Sequence, residues 1–222
     1  MDIEANLREV RGRIARACEH SRRVPEEIIL VAVTKGFDAQ AIRDAFDCGL
    51  RHFGENRVQE AVVKIEQLCD LRASITWHMV GHLQSNKARI AVQQFDIIHS
   101  IDSVRLASIL NERAQKPLPV LLQVNVAGEE PKSGFAVEEI AAATNEIRKL
   151  LNLQVKGLMT IAPLVDNPEE VRPVFRKLCE LRDSLGLEHL SMGMTDDFEV
   201  AIEEGATILR IGRAIFGQRR YS

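Results

Sequence analysis

Lys35 follows the apolar run 28–33 by a single threonine and precedes Gly36. An ammonium emerging beside an apolar interior is penalised by desolvation, which favours the neutral amine, the form that attacks an aldehyde to make an imine. Taken alone, the same lysine is better explained by a side chain that runs its stem along apolar surface and lifts its charge into solvent. Its companions at the same end of the fold must therefore decide.

Two segments near the C-terminus supply companions. SMGMTDDFE, residues 191–199, links a strand-like run to a helix-like run through Ser191, Gly193 and Thr195. RIGRAIFG, residues 210–217, places Gly212 and Arg213 just beyond another strand. Unpaired backbone N–H groups at such turns present themselves to an anion, although an ordinary capped turn explains the first segment equally well. Asp196 and Asp197 would repel a phosphate, so they are expected to face outward and favour the positive end of the helix, with Glu199 completing a capping arrangement. Arg210 lies inside the last strand, where a charge needs either an internal ion-pair partner or a ligand. His78 and His82 are four apart, but that segment reads as strand then loop and lacks the glutamate of HExxH. Polar pocket or packing roles are expected there rather than a metal.

The elements that must position these residues alternate along the chain. Strand-like runs fall at 28–33, 51–55, 75–81, 95–101, 119–126, 153–160, 189–194 and 207–212, eight in all. Helix-like runs lie between them, near 39–48, 56–69, 84–93, 102–114, 136–151, 167–185 and 196–204, with an extra helix ahead of the first strand. Asp102 and Asn167 are read as N-caps. Eight βα units predict a single (β/α)8 TIM barrel with an extra N-terminal helix, and in that fold ligands gather where the βα loops converge at the C-terminal strand ends. The competing doubly wound sheet lacks its usual GxGxxG after the first strand.

Composition agrees with an ordinary folded protein. The chain has 222 residues, 45% hydrophobic and 27% charged, with a formal net charge of -3, which gives no global reason to expect nucleic-acid binding. The N-terminus lacks the apolar core of a signal peptide, and no run is long enough to span a bilayer, so a cytoplasmic protein without membrane or nucleic-acid partners is expected. Cys18, Cys48, Cys69 and Cys179 are scattered without zinc-like spacing, and reduced thiols are expected.

The segments VAVTKG, HFGENRVQE, WHMVGHLQSNK, KSGF, GLMTI and SMGMTDDFEVAIEEGATILRIGRAIFG, in this order from Val31 to Gly217, closely resemble the pyridoxal phosphate homeostasis protein family. That family has the single-barrel form of the fold type III pyridoxal 5'-phosphate (PLP) proteins, similar to the N-terminal domain of bacterial alanine racemase, and its members are usually monomeric. The resemblance implies one PLP-binding domain over 1–222 and makes Lys35 the aldimine lysine. It places Arg210 toward the ring nitrogen, where an apposed cation disfavours ring protonation. It sets Asn56 and His78 beside the cofactor and Ser191, Thr195, Gly212 and Arg213 around the phosphate, with Met192 and Gly193 also counted as cofactor-binding. Thr195 stands where many relatives have serine and keeps the hydroxyl.

Bound PLP does not by itself establish catalysis. Alanine racemase completes its site with a second domain and a partner subunit, whereas this chain is too short to carry such a domain after Gly217. The expected role is therefore a PLP-binding protein that buffers or delivers the cofactor, also accepting other B6 vitamers, serving PLP-dependent apoenzymes and influencing amino-acid and keto-acid balance. The alternatives are a PLP-dependent amino-acid racemase and a lysine Schiff-base aldolase without PLP. Lys132 is read as a solvated loop lysine, with a second phosphate vitamer as its functional alternative, and Arg219, Arg220 and Tyr221 as a solvated tail.

Overall fold

The computed structural model describes residues 2–128 and 133–218. Lys132, Arg219, Arg220 and Tyr221 lie outside the described residues. Eight strands close into a barrel in sequential order: β1 (Ile29–Val33), β2 (His52–Glu55), β3 (Thr76–Met79), β4 (Ile97–Ile101), β5 (Leu118–Gln123), β6 (Leu153–Met159), β7 (His189–Ser191) and β8 (Ile208–Ile211). Every neighbouring pair is parallel, and β1 closes the ring against β8 with Val31 opposite Arg210. The expected TIM barrel is thus the observed one.

Side chains alternate across the strands, with one set facing the axis and the other facing the helices. Ala32, Phe53, Trp77, Ile98, Leu158, Leu190 and Leu209 join the core shared with the helices. Val31, Leu121, Met159 and Ile208 form a much smaller apolar plug on the axis. Their parity carries forward to Lys35, Asn56 and Gly212, which is why these residues reach the mouth.

The helices are α1 (Ile3–His20), α2 (Ala39–Asp47), α3 (Val58–Gln67), α4 (Ala88–Gln94), α5 (Val104–Arg113), α6 (Ile140–Ile147), α7 (Arg172–Ser184), α8 (Phe198–Glu203) and the short α9 (Arg213–Phe216). The extra helix α1 starts where Asp2 Oδ1 accepts from the Ala5 amide at 2.9 Å, and it buries Ile3, Leu7, Val10, Ile14 and Ala17 at helical spacing. It packs against α8 and α9, and Asn6 Nδ2 donates to the Ile215 carbonyl at 2.9 Å. Among the described residues, no helix is long and apolar enough to cross a membrane.

Several element boundaries differ from the expected ranges, and two of the differences bear on the site. Ser103, not Asp102, caps α5, accepting from the Leu106 amide at 3.2 Å, because the Asp102 carboxylate instead lies 3.1 Å from His82 Nδ1. The strand-like run 189–194 is regular strand only to Ser191; Met192 and Gly193 still bond to the β8 backbone as the chain bends into the turn that shapes the mouth. Asn167 does cap the 3-10 turn Pro168–Val171, accepting from the Glu169 amide at 3.1 Å.

Candidate functional site

A cavity of about 600 Å³ opens at the C-terminal end of the barrel. Lys35, Asn56, Thr195, Arg210, Gly212 and Arg213 line it, together with Val33, Phe37, Val80, Ile161, Leu164 and Met194. The βα loops therefore bring six of the residues singled out in the sequence to one cavity.

Lys35 is half-buried, and the backbone on both sides of it is pinned from the helix side of the sheet. Thr34 points away from the axis and donates to Glu55 Oε1 at 2.5 Å. From α3, Lys64 Nζ donates to the Thr34 carbonyl, to Glu55 Oε1 and to Glu60 Oε1, each at 2.7 Å. The Gly36 amide donates to Glu60 Oε1 at 2.6 Å. Burial pushes the Glu55 carboxyl above its ordinary range against the opposing pull of Lys64. Burial also works against the Glu60 carboxylate, but the bonds from Lys64 and Gly36 outweigh it and hold its pKa low. Lys64 was not among the sequence candidates, and nothing in its local pattern separates it from an ordinary i, i+4 partner of Glu60.

Asn56 is fixed by a close approach. A Cβ on Gly81 would lie 2.4 Å from the Asn56 carbonyl oxygen, so only glycine lets the loop after β3 pass this close to the end of β2.

At the opposite wall, the turn after β7 and the start of α9 are tied together, because Thr195 Oγ1 accepts from the Ala214 amide at 3.4 Å. Gly193, at φ +92°, makes the turn, and its carbonyl accepts from the Arg210 amide at 3.0 Å. Met192 packs into the core shared with the helices rather than lining the cavity. The two aspartates part company. Asp196 ion-pairs with Arg213 at the exposed rim, whereas Asp197 is buried and accepts from the Met194 amide at 2.6 Å. The outward orientation expected of Asp197 does not hold, because the turn needs an internal acceptor for that amide. Burial raises the Asp197 pKa, with the Met194 amide and then Arg210 opposing it. Glu199 does not close a capping box but pairs with Arg13 of α1 at 2.6 Å.

Arg210 is buried on the axis. Its Nη1 donates to Ser191 Oγ at 2.6 Å and its Nη2 to the Thr160 carbonyl at 2.8 Å. Among the described residues no carboxylate stands within ion-pair distance of it, which removes the internal ion-pair explanation. Burial pushes its pKa down to about 10, with Asp197 partly offsetting, and the guanidinium stays charged at neutral pH.

His78 does not line the cavity but lies beneath it. Its Nε2 is 3.0 Å from His52 Nδ1, its Nδ1 is 2.9 Å from His99 Nε2, and His99 Nδ1 is 2.9 Å from Ser191 Oγ. Burial lowers the pKa of all three rings, most strongly for His78 and His99. His52 escaped the sequence reading, although its parity with Asn56 on one strand, shared by His78 and Val80, was a usable signal. A smaller cavity of about 210 Å³ adjoins the first, lined by His82, Gln123, Asn125 and Ser133. Among the described residues no cluster of three or more His, Cys, Asp or Glu is arranged to hold a metal ion.

The site can thus present an amine, a buried cation and a turn with hydroxyl and amide donors to one ligand. The sequence profile of the alanine racemase N-terminal domain family matches residues 3–220. The pyridoxal phosphate homeostasis protein of Aquifex aeolicus is 46% identical across the whole of both chains. That of Escherichia coli is 42% identical over all of this chain and 98% of its own. Among solved structures, PipY of Synechococcus elongatus with PLP bound is 40% identical, with a TM-score of 0.80, covering 92% of this chain and all of that one. An alanine racemase from Clostridium difficile shares the fold at 15% identity and a TM-score of 0.69, covering this whole chain but 58% of its own.

Proposed function

This chain belongs to the pyridoxal phosphate homeostasis protein family, built on the alanine racemase N-terminal domain, and from that premise we propose that it holds PLP covalently through Lys35. The observation that carries the proposal is that Lys35 and the buried Arg210, which has no ion-pair partner among the described residues, line the same cavity. A cavity of about 600 Å³ accommodates a ligand of this size, and its chemistry fits an aromatic aldehyde phosphate at each end. Lys35 would hold the aldehyde end through its side-chain nitrogen, with one water lost as the carbon–nitrogen bond forms. Asn56 and Arg210 would flank the ring, and Thr195, Gly193, Gly212 and Arg213 would receive the phosphate, with Ser191 and His78 supporting them from behind. When bound, PLP supplies an electrophilic aldehyde and an electron-withdrawing ring. Arg210 would weaken the second property, because a cation beside the ring disfavours protonation of its nitrogen.

That electrostatic choice favours reversible holding over carbanion chemistry. We take the protein to work as a single-domain cytoplasmic monomer that buffers PLP and related vitamers and supplies apoenzymes. The relatives carry homeostasis in their names, and catalysis is not part of the proposal. Absorbance of the purified holoprotein, followed by borohydride reduction and peptide mapping, tests it. The reduced pyridoxyl group should map to Lys35 and be lost in Lys35→Ala; a label on another lysine sinks the assignment. The family's kinship with racemases supports one other reading, amino-acid racemisation. Incorporation of deuterium at Cα of alanine, at useful turnover in heavy water, would establish that reading.

A further inference from the structure

Ser191, His99, His78 and His52 form an unbroken chain of contacts of 2.9, 2.9 and 3.0 Å through the barrel interior, and Arg210 caps it at the mouth with a bond of 2.6 Å. His78, His99 and Ser191 are buried, while His52 is partly exposed at the first residue of β2, the end of the strand away from the mouth. Each nitrogen-to-nitrogen contact needs one N–H and one lone pair, and a neutral imidazole has one of each. The whole chain can therefore point only one way at a time.

Arg210 decides which way. A guanidinium only donates, so Ser191 Oγ accepts from it. The serine hydrogen is then directed to His99 Nδ1, its other partner. The reverse order would aim the His99 N–H and the Arg210 N–H at the same oxygen and leave the hydroxyl hydrogen without a partner among the described residues. His99 must consequently carry its hydrogen on Nε2 and donate to His78 Nδ1. His78 in turn carries its hydrogen on Nε2 and donates to His52 Nδ1. The field of the guanidinium reinforces this order, since it repels any N–H turned toward it.

We infer that Ser191, His99, His78 and His52 are a directional hydrogen-bond relay whose tautomers Arg210 sets, and that they position the Arg210 guanidinium against the ring of the bound cofactor. The inference rests on the PLP reading for its second half only. Ser191 is the coupling point, because among the described residues it alone hydrogen-bonds both Arg210 and the histidine column. A guanidinium held by Ser191 Oγ and the Thr160 carbonyl cannot swing away from the mouth. Loss of the serine oxygen frees one of its two anchors.

Nitrogen-15 spectra of histidine-labelled protein, recorded without and with PLP, test the relay directly. The expected result is the neutral Nε2–H pattern for His52, His78 and His99 in both states. The opposite tautomer at His99 or His78 overturns the relay. Ser191→Ala should mix the His99 tautomers and raise the dissociation constant for PLP roughly tenfold, the effect of one lost bond to a charged group. Ser191→Thr, which keeps the hydroxyl, should restore both. An unchanged His99 spectrum in Ser191→Ala sinks the relay, and an unchanged PLP dissociation constant sinks its positioning role. Should wild-type protein fail to take up PLP, the reading of the mouth falls, while the nitrogen spectra still decide the order of the relay.

Discussion

Lys64 Nζ stands 2.7 Å from Glu55 Oε1 on the helix side of β2, behind the strand end that carries Lys35. Both groups are almost wholly buried, and Lys64 also holds the Thr34 carbonyl and Glu60. Lys64→Met leaves a buried carboxylate without its cation, so it should cost about 3 kcal/mol of stability in urea unfolding. Adding Glu55→Gln removes the orphaned charge and should recover part of that loss. If the double variant is as unstable as the sum of the singles, the pair is not coupled. PLP uptake should fall in Lys64→Met even in the folded fraction, since the backbone flanking Lys35 loses its clamp.

How far the sequence revealed this site depends on which link each residue belongs to. Lys35 was legible because an apolar strand ended there, and Arg210 because a charge inside a strand requires a reason. Both signals are local. Lys64 was not legible, since its i, i+4 spacing to Glu60 looks like a solvated helix face until α3 packs on β2 and buries it. The histidine column was half legible. Strand parity puts His52 on the same face as Asn56, but stacking His52, His78 and His99 requires the stagger between three strands, which only the register fixes. Asp197 was misread because the rule that carboxylates avoid phosphate said nothing of the Met194 amide, which needs its oxygen. The barrel itself was legible throughout, except that several strand-like runs continue past their paired residues into the mouth.

The depressed histidines give the protein a pH dependence of definite sign. His99 is neutral in the fold at pH values where an unfolded histidine, with a pKa of about 6.5, takes a proton. Below that pH the unfolded state binds more protons, so His99 contributes stability that is present above pH 6.5 or so and lost as pH falls toward its depressed folded value. The slope per such histidine is about 1.4 kcal/mol per pH unit. Glu55 and Asp197 have raised pKa values and contribute with the opposite sign, favouring the fold as they take up protons. The contribution of His99 is therefore best read as a difference. Urea unfolding between pH 7 and 5 should show a slope shallower by about 1.4 kcal/mol per unit in His99→Gln than in wild type. Parallel curves would mean that His99 is not held neutral.

The rim pair should behave differently from the buried groups. Arg213 and Asp196 are each more than half exposed, so Arg213→Ala should change stability by less than about 0.5 kcal/mol. Its effect should fall on the ligand instead. Binding of PLP is expected to weaken several-fold and to lose part of its salt dependence, as one cation facing the phosphate is removed. A large drop in melting temperature without any change in PLP binding would show that Arg213 is structural.

Gly193 joins the turn after β7, proposed to receive the phosphate, to the barrel, and two separate constraints act on it. Its φ of +92° disfavours any side chain, and an added Cβ would lie 2.7 Å from the Ala201 Cβ on α8. Gly193→Ala should therefore cost about 2–3 kcal/mol, more than backbone strain alone. Gly186 separates the contributions, because its φ is +58° but nothing lies within 4 Å of the Cβ it would gain. Gly186→Ala should cost about 1 kcal/mol and leave PLP binding untouched. Relief of the clash in Gly193→Ala requires α8 to move away from the turn or the turn to move into the mouth. Either movement shifts Thr195 against Ala214 and carries the Gly193 carbonyl off the Arg210 amide. PLP affinity should consequently fall with stability in Gly193→Ala, and equal behaviour of the two variants in both measurements would show that the contact with Ala201 does not shape the phosphate turn.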